Sequence, residues 1–486
     1  MSVQGVNRIK IPVRKSELTF DLLKKYLPYI FDEFQNIRTG INNDYDLYRL
    51  NHPILNKQRV FEEQADINNK ILVPSLKSMV DWKAGYVLGN PISYAQSKVE
   101  QTDDIEYLNK YDRNTDKASI DVKVYTWVMA TGVGYYFIEP KSQEFDIEWE
   151  APYNLYHIES GRCAKVRSSY IGEEELFDLI YTTHKKIQDN VEYVFDVLDI
   201  YFNDTMFTFE KQSQTLDFQF KGSQSRGISK PLPLVEKRAD EAGIGIIALG
   251  RSMQEAIDRI LSNGLDNIEE VVNQIFVYKN VNLGKTPEEM AENHTNMVRN
   301  GAINIKDSSP EAKADVDTIK PDLNLTQFVD IYNVIYKALH DTVGVPMEQS
   351  NTNSGGTTKS GSEVANGYEN AYNRAMKEKN ILLEADNELL KKVLWICKNS
   401  RGNKINNVSA SDIEIKYNFN ITDNILIKTQ AFGTLISYMP PDMALRMCRL
   451  SNDPEREGNR ILDYMAQLKE QEQQAQNKQN INEVNS

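Results

Sequence analysis

Two short stretches carry the residue types that cradle phosphate. Gly284-Lys285-Thr286 has the ending of a nucleotide loop, where backbone N–H groups hold phosphates, a lysine neutralises them and a hydroxyl binds magnesium. The spacing fails, because the G-x-x-x-x-G-K-[ST] pattern needs glycine at 279, where the chain has Lys279, and Pro287 follows closely. Gly355-Gly356-Thr357-Thr358-Lys359-Ser360 misses too, with Thr358 in the place of the second glycine. The five histidines, His52, His157, His184, His294 and His340, are isolated, none with another His or a Cys at metal-ligand spacing. His340-Asp341 reads as a helix-terminal surface pair rather than half of a nucleophilic triad. The acidic pairs Asp103-Asp104 and Glu455/Glu457 read as solvated faces. No catalytic, metal or cofactor constellation emerges, so the expectation is a protein that is not an enzyme and carries no cofactor.

The bulk numbers agree with a structural role. A length of 486 residues implies several domains, and 40% apolar with 26% charged residues suits a folded soluble protein. A net charge of -14 argues against a protein that coats nucleic acid, which needs a basic footprint. It does not argue against one that lets DNA pass. Cys163, Cys397 and Cys448 are far apart and form no C-x-x-C, as suits a reducing cytoplasm. The first residues show no apolar run of signal-peptide length, and no window reaches the ~18 apolar residues of a membrane span. The expectation is a cytoplasmic, soluble chain.

The elements that would position any site are mixed α and β. Leu18, Leu22, Leu23, Tyr26, Leu27, Ile30, Phe31 and Phe34 predict a helix over 17–37. A second is expected from about Asn69 to Leu88, closed by Gly89-Asn90-Pro91, and a third from Asp116 to Thr131, turned by Gly132-Val133-Gly134 into a strand at Tyr135–Glu139. Short alternating runs then predict an antiparallel meander: Phe145–Trp149, Ala164–Tyr170, Leu176–Tyr181, Tyr193–Leu198, Thr205–Glu210 and Thr215–Phe220. Pro231-Leu232-Pro233 opens a helical region whose stripe of Met253, Ile257, Ile260, Leu261, Leu265, Ile268, Val272 and Ile275 lasts about six turns. Residues 276–320 read as a small α/β insert: strand, helix Pro287 to Arg299, strand Ala302–Ile305 and strand Asp315–Ile319. A helix with Asn324 as N-cap and an apolar face from Leu325 to Val343 follows, so the insert is expected to ride on two antiparallel helices. After a polar stretch comes a helix of about ten turns, from Ser362 past Ile396. A strand at Ile413–Phe419, helices from Asp423 to Leu468 and a Gln/Asn-rich tail close the chain.

The polar stretch is the organising feature. From Gln349 it has no aliphatic or aromatic residue and cannot bury itself, and a loop this long between two helices is uncommon unless functional or disordered. Lys77-Ser78-Met79-Val80-Asp81-Trp82-Lys83-Ala84-Gly85-Tyr86-Val87-Leu88-Gly89-Asn90-Pro91 resembles the VDxxxGYxxGxP helix of tailed-bacteriophage portal proteins, of the type found in long-tailed phages of Gram-positive hosts. Ala130-Thr131-Gly132-Val133-Gly134-Tyr135-Tyr136 is similar to their helix-to-strand turn, and Gly344-Val345-Pro346, the polar loop and Ser360-Gly361-Ser362 are similar to their tunnel loop and long helix. The resemblance covers roughly 15–465 and rests on the order and spacing of these motifs.

The resemblance implies an α+β portal fold with a helical wing and stem, an antiparallel β wing subdomain, a small α/β clip insert and a helical crown. On this chain the wing would be 1–235, with its β-rich part at 135–222. Stem helices would lie at 236–275 and 322–344, the clip at 276–321, the tunnel loop at 345–361, the long wing helix and strand at 362–422, and the crown with its tail at 423–486. It implies a homo-oligomeric ring, typically of twelve, at one capsid vertex of the virion, assembled in the host cytoplasm, with no membrane partner. Double-stranded DNA would pass without sequence readout during packaging and ejection, past Gln349, Ser350, Asn351, Thr352, Asn353, Ser354, Gly355, Gly356, Thr357, Thr358, Lys359 and Ser360. The large terminase and then a head–tail adaptor would dock on the clip, at Lys279, Lys285, Glu288, Glu289, Arg299 and Lys306, with capsid and scaffold proteins around the ring. The alternatives are another ring-forming head–tail connector or baseplate protein, which needs no tunnel loop, and a nuclease whose carboxylates meet only in the fold.

Overall fold

The computed structural model describes residues 5–58, 67–96, 102–141, 149–188, 191–213, 215, 217–226, 231–272, 275–279, 286–300, 315–319, 325–347, 361–400, 405, 408–419, 425–448, 450–451 and 456–468. It has two compact units, Met1–Ala84 with Gln96–Ile413, and Gly85–Ala95 with Glu414–Ser486. Helices and mixed sheets together make an α+β fold.

The first unit opens with β1 (Ile9–Ile11) and α1 (Phe20–Tyr48). Thr19 caps α1, its hydroxyl accepting the N–H of Leu22 at 3.3 Å. The helix does not stop near residue 37 but runs on through the tyrosine-rich stretch. Ile41 and Leu47 are buried there, and Tyr45 stacks on Trp127 with ring centroids 3.7 Å apart. Tertiary packing overrides the turn-forming Asn42-Asn43-Asp44. Next comes α2 (Ser75–Leu88), whose last residues pass into the second unit with β2 (Ser93–Gln96), and the first unit resumes with α3 (Thr102–Asn114) and α4 (Lys117–Thr131). The turn out of α4 needs Gly132: its φ is +92°, and a Cβ there would overlap the carbonyl of Gly243.

Eight strands follow: β3 (Val133–Pro140), β4 (Tyr153–Ile158), β5 (Cys163–Ser168), β6 (Glu175–Gln188), β7 (Val191–Tyr201), β8 (Thr205–Gln212), β9 (Gln219–Ser225) and β10 (Leu234–Arg238). A six-stranded sheet has the order β1-β5-β6-β7-β8-β9, antiparallel except where β1 joins β5 in parallel, Ile9 opposite Val166. The α1 stripe of Leu23, Leu27, Ile30 and Phe34 packs on its Val166, Leu179, Leu198 and Phe209. A second sheet, β10-β3-β4, is antiparallel. Trp149, expected to end a strand, is 79% exposed in a turn, and 145–148 lie outside the described residues.

The expected helix over 236–275 is corrected. Residues 234–238 form β10, and α5 (Ile246–Val272) starts later. β10 was hidden because its charges Glu236, Lys237 and Arg238 are all buried, which erases the alternation that marks a strand. Beyond α5 lie β11 (Ile275–Lys279), α6 (Pro287–Asn300), β12 (Asp315–Ile319), α7 (Leu325–Val343) and α8 (Gly361–Asn399). β11 and β12 pair antiparallel with Ile275 opposite Ile319, so the insert closes on itself. Gly250 near the start of α5 faces Leu339 near the end of α7, and Gly264 faces Phe328. The two helices therefore run antiparallel, as expected. The strand expected at 302–305 and the N-cap Asn324 lie outside the described residues.

A polar seam fixes α5. Residues 69–74, expected to begin α2, run alongside it instead. Asp266 accepts the N–H of Asn69 at 2.7 Å, Ser262 that of Ile71 at 2.9 Å, Asp258 that of Val73 at 3.0 Å and Gln254 that of Leu76 at 3.2 Å. Two residues of extended chain advance about 6.6 Å and four residues of helix about 6.0 Å, so the alternate N–H groups of 69, 71 and 73 meet every fourth side chain, and Leu76, in the first turn of α2, meets the next. Gln254, Asp258, Ser262 and Asp266 are all buried. His52, expected to be isolated, closes the seam with Nδ1 2.5 Å from Asp258.

In the second unit β13 (Ile413–Lys416) pairs with β2, and the Tyr86 and Phe419 rings stack with centroids 6.1 Å apart. α9 (Ile425–Leu435), α10 (Pro441–Cys448) and a helix over 456–468 follow.

Candidate functional site

The polar stretch begins where α7 ends. Gly344 has φ +76° and donates its N–H to the carbonyl of His340 at 2.8 Å, a left-handed helix cap. His340 is not the surface residue expected. It is buried, its Nδ1 donates to the carbonyl of Val345 at 3.0 Å, and the Tyr336 ring meets it edge-on at 4.7 Å. Its neighbour Asp341 is exposed. From the far side of the stretch, Arg374 on α8 donates to the carbonyls of Asp341 at 3.1 Å and Thr342 at 3.4 Å. Gln349, Ser350, Asn351, Thr352, Asn353, Ser354, Gly355, Gly356, Thr357, Thr358, Lys359 and Ser360 lie outside the described residues.

Ionic contacts anchor α8 to the body of the unit. Glu378 accepts from Lys83 and from the Tyr125 hydroxyl, the latter at 3.2 Å. Asp386 meets Lys237 at 2.7 Å, with both side chains buried, and Glu388 accepts from Lys165 and Lys392 at 2.6 Å each. Lys392 also donates to the Leu234 carbonyl at 2.6 Å. Burial alone would push the Glu388 carboxyl up, but Lys165 and Lys392 outweigh it and hold it below the usual range. Nearby Asp178 goes the other way. Burial raises it to about 6 despite Lys165, Lys392 and the Leu234 N–H it accepts at 2.7 Å. In α4, Lys117 meets Asp121 at 2.6 Å, and Tyr136 donates to Asp121 at 2.9 Å. Burial pushes the Asp112 carboxyl up to about 7, opposed by Lys117 and reinforced by Asp121.

In the insert, Lys279 ends β11 opposite Asp315. Glu288 and Glu289 are exposed in the first turn of α6, where they complement the helix dipole, and the Thr286 hydroxyl accepts the Glu289 N–H at 3.2 Å. Arg299 sits near the end of α6, and Lys285 and Lys306 lie outside the described residues. Lys279, Glu288, Glu289 and Arg299 thus lie on β11 and α6, within the stretch that the β11–β12 pairing closes. Among the described residues no group of three or more His, Cys, Asp or Glu could hold a metal ion, and no helix is long and apolar enough to cross a membrane.

The described framework is therefore one helix, a polar connection and a longer helix, with an α/β insert between two antiparallel helices. A profile of the family described as phage portal protein, SPP1 Gp6-like, matches residues 27–478. The chain belongs to that family. No individual curated protein matches the sequence. Portal proteins are structural components rather than enzymes, form homo-oligomeric rings and occupy a capsid vertex of the virion. Within this portal chain, the residues that carried the resemblance have structural tasks. Val80 is buried in α2, Asp81 accepts from the Tyr48 hydroxyl at 2.8 Å, and Gly132 makes the turn into β3. The residues that sequence reasoning missed are His340 and Arg374. A histidine next to an acid and an arginine among other charges gave no signal, since both act on backbone carbonyls.

Proposed function

We propose that twelve copies of this portal chain surround a channel for double-stranded DNA, and that Gln349–Ser360 line its narrowest part. Genomic DNA of any sequence must slide inward during packaging and outward during ejection, so readout of base edges would be a handicap. Phosphate affinity must also be weak, because each Lys or Arg contact adds counterion-release binding. Ser350, Asn351, Thr352, Asn353, Ser354, Thr357 and Thr358 offer neutral, replaceable donors, and Lys359 is the one charged residue between Gln349 and Ser360. Gly355-Gly356 lets copies around the ring take different paths along a duplex whose symmetry differs from theirs. A chain of net charge -14 repels phosphate and keeps DNA off the walls.

The insert from β11 to β12 is the clip, which receives the large terminase during packaging and a head–tail adaptor afterwards, through Lys279, Lys285, Glu288, Glu289, Arg299 and Lys306. Capsid and scaffold proteins surround the ring during assembly in the host cytoplasm, and residues 423–486 form the crown. The observation that carries this reading is the pair of roots. One end of the polar stretch leaves a capped α7, and the other enters an α8 held by buried ion pairs. The test is to shorten Ser350–Thr358. Rings should assemble normally while packaging or retention of DNA fails. Normal packaging by the shortened rings would remove the channel assignment.

A further inference from the structure

We infer that Arg374 is a positioning residue for the channel loop: from α8, downstream of the loop, it holds the exit of α7, upstream of it. The inference rests on the channel reading above. The last carbonyls of any helix lack an intrahelical donor and carry the negative end of its dipole. At the end of α7 two of them, from Asp341 and Thr342, receive N–H groups from Arg374, at 3.1 and 3.4 Å. Arg374 lies about three and a half turns into α8 and is exposed, next to the buried Ala371 and Ala375.

The guanidinium also occupies the space above the α-carbon of Gly344. A Cβ at that position would overlap Nη1 and come within 2.5 Å of Cδ and 2.8 Å of Cζ. Gly344 is required for its φ of +76°, and its missing Cβ leaves the room that Arg374 fills. His340 grips the same turn from within α7, through the carbonyl of Val345. The chain thus leaves α7 between two side chains, one on each side of the loop in sequence. A planar fork reaching two successive carbonyls suits arginine, whereas lysine offers a point charge.

The test uses rings containing a small fraction of subunits labelled at Met347→Cys and Lys377→Cys. Both positions are exposed, and the native cysteines Cys163, Cys397 and Cys448 are buried. Distances between the labels, from single-molecule energy transfer, should form one narrow population in the parent rings. Arg374→Ala should broaden or shift it and lower DNA packaging about two- to fivefold, the range of a helix-end charge contact, with ring yield unchanged. Arg374→Lys should fall between. An unchanged distance distribution in Arg374→Ala rings would overturn the inference, as would a loss confined to ring yield. The rings shortened at Ser350–Thr358 serve as the separate arm: normal packaging there would remove the channel reading, while the distances would still decide whether Arg374 holds the exit.

Discussion

Replacing Asp112 by Asn should stabilise the protein at pH 8 and have little effect near pH 4. Asp112 is half-buried, with its Oδ2 enclosed and unpartnered, beside Lys117, Asp121 and Asp386. Lys117 is taken up by Asp121 and Lys237 by Asp386, so three carboxyls share two ammonium groups, with the Arg113 guanidinium adding a further attraction. Burial raises the Asp112 carboxyl from 3.8 to about 7. The gap of about three pH units corresponds to about 4 kcal/mol at about 1.4 kcal/mol per unit. The sign follows from proton binding. The folded state binds this proton more tightly than the unfolded chain, so the contribution is fully present below pH 3.8 and is lost as pH rises towards 7. Asparagine keeps the shape and removes that loss, so about 2–4 kcal/mol should separate the variant from the parent at pH 8. For a chain of this length that is a rise in melting temperature of about 2–4 °C at fixed subunit concentration. Thermal unfolding of both rings at several pH values reads it. A difference in melting temperature that stays the same at pH 5 and pH 8, or a variant that melts lower at pH 8, would refute the charge count.

Asp386→Ala leaves Lys237 buried without its carboxylate and should destabilise the first unit by about 3–5 kcal/mol; hydrogen exchange in α8 and β10 should rise together, and unchanged exchange would count against the anchoring of α8. Ser262→Ala removes the acceptor of the Ile71 N–H in the polar seam and should destabilise by about 1–3 kcal/mol, read as faster exchange at 69–76; if exchange rises only elsewhere, the seam does not hold that stretch.

Much of the fold could be read from residue patterns where a single face decides. The Leu23, Leu27, Ile30 and Phe34 stripe predicts α1, the apolar faces of α7 and α8 locate both, and the strand at Asp315–Ile319 falls where its alternation placed it. The errors occur where long-range partners supply what the local sequence lacks. β1 is three residues long and exists because β5 lies beside it, and β10 buries charges that find partners on β5 and α8. α3 is mostly polar, with only Ile105, Leu108 and Tyr111 turned inward. The buried face of α5 includes Gln254, Asp258, Ser262 and Asp266, which periodicity assigns to solvent. At the candidate site the composition of the loop was plain from the sequence. Its anchorage was not, because Arg374 acts on main-chain oxygens about thirty residues upstream, and such bonds require no particular side chain as partner.

The most direct test of the channel reading places a photo-cross-linking residue at Asn353 in particles stalled during packaging. The account predicts covalent adducts with DNA, spread along the duplex without sequence preference. Adducts with protein alone, in particles that hold DNA, would contradict it.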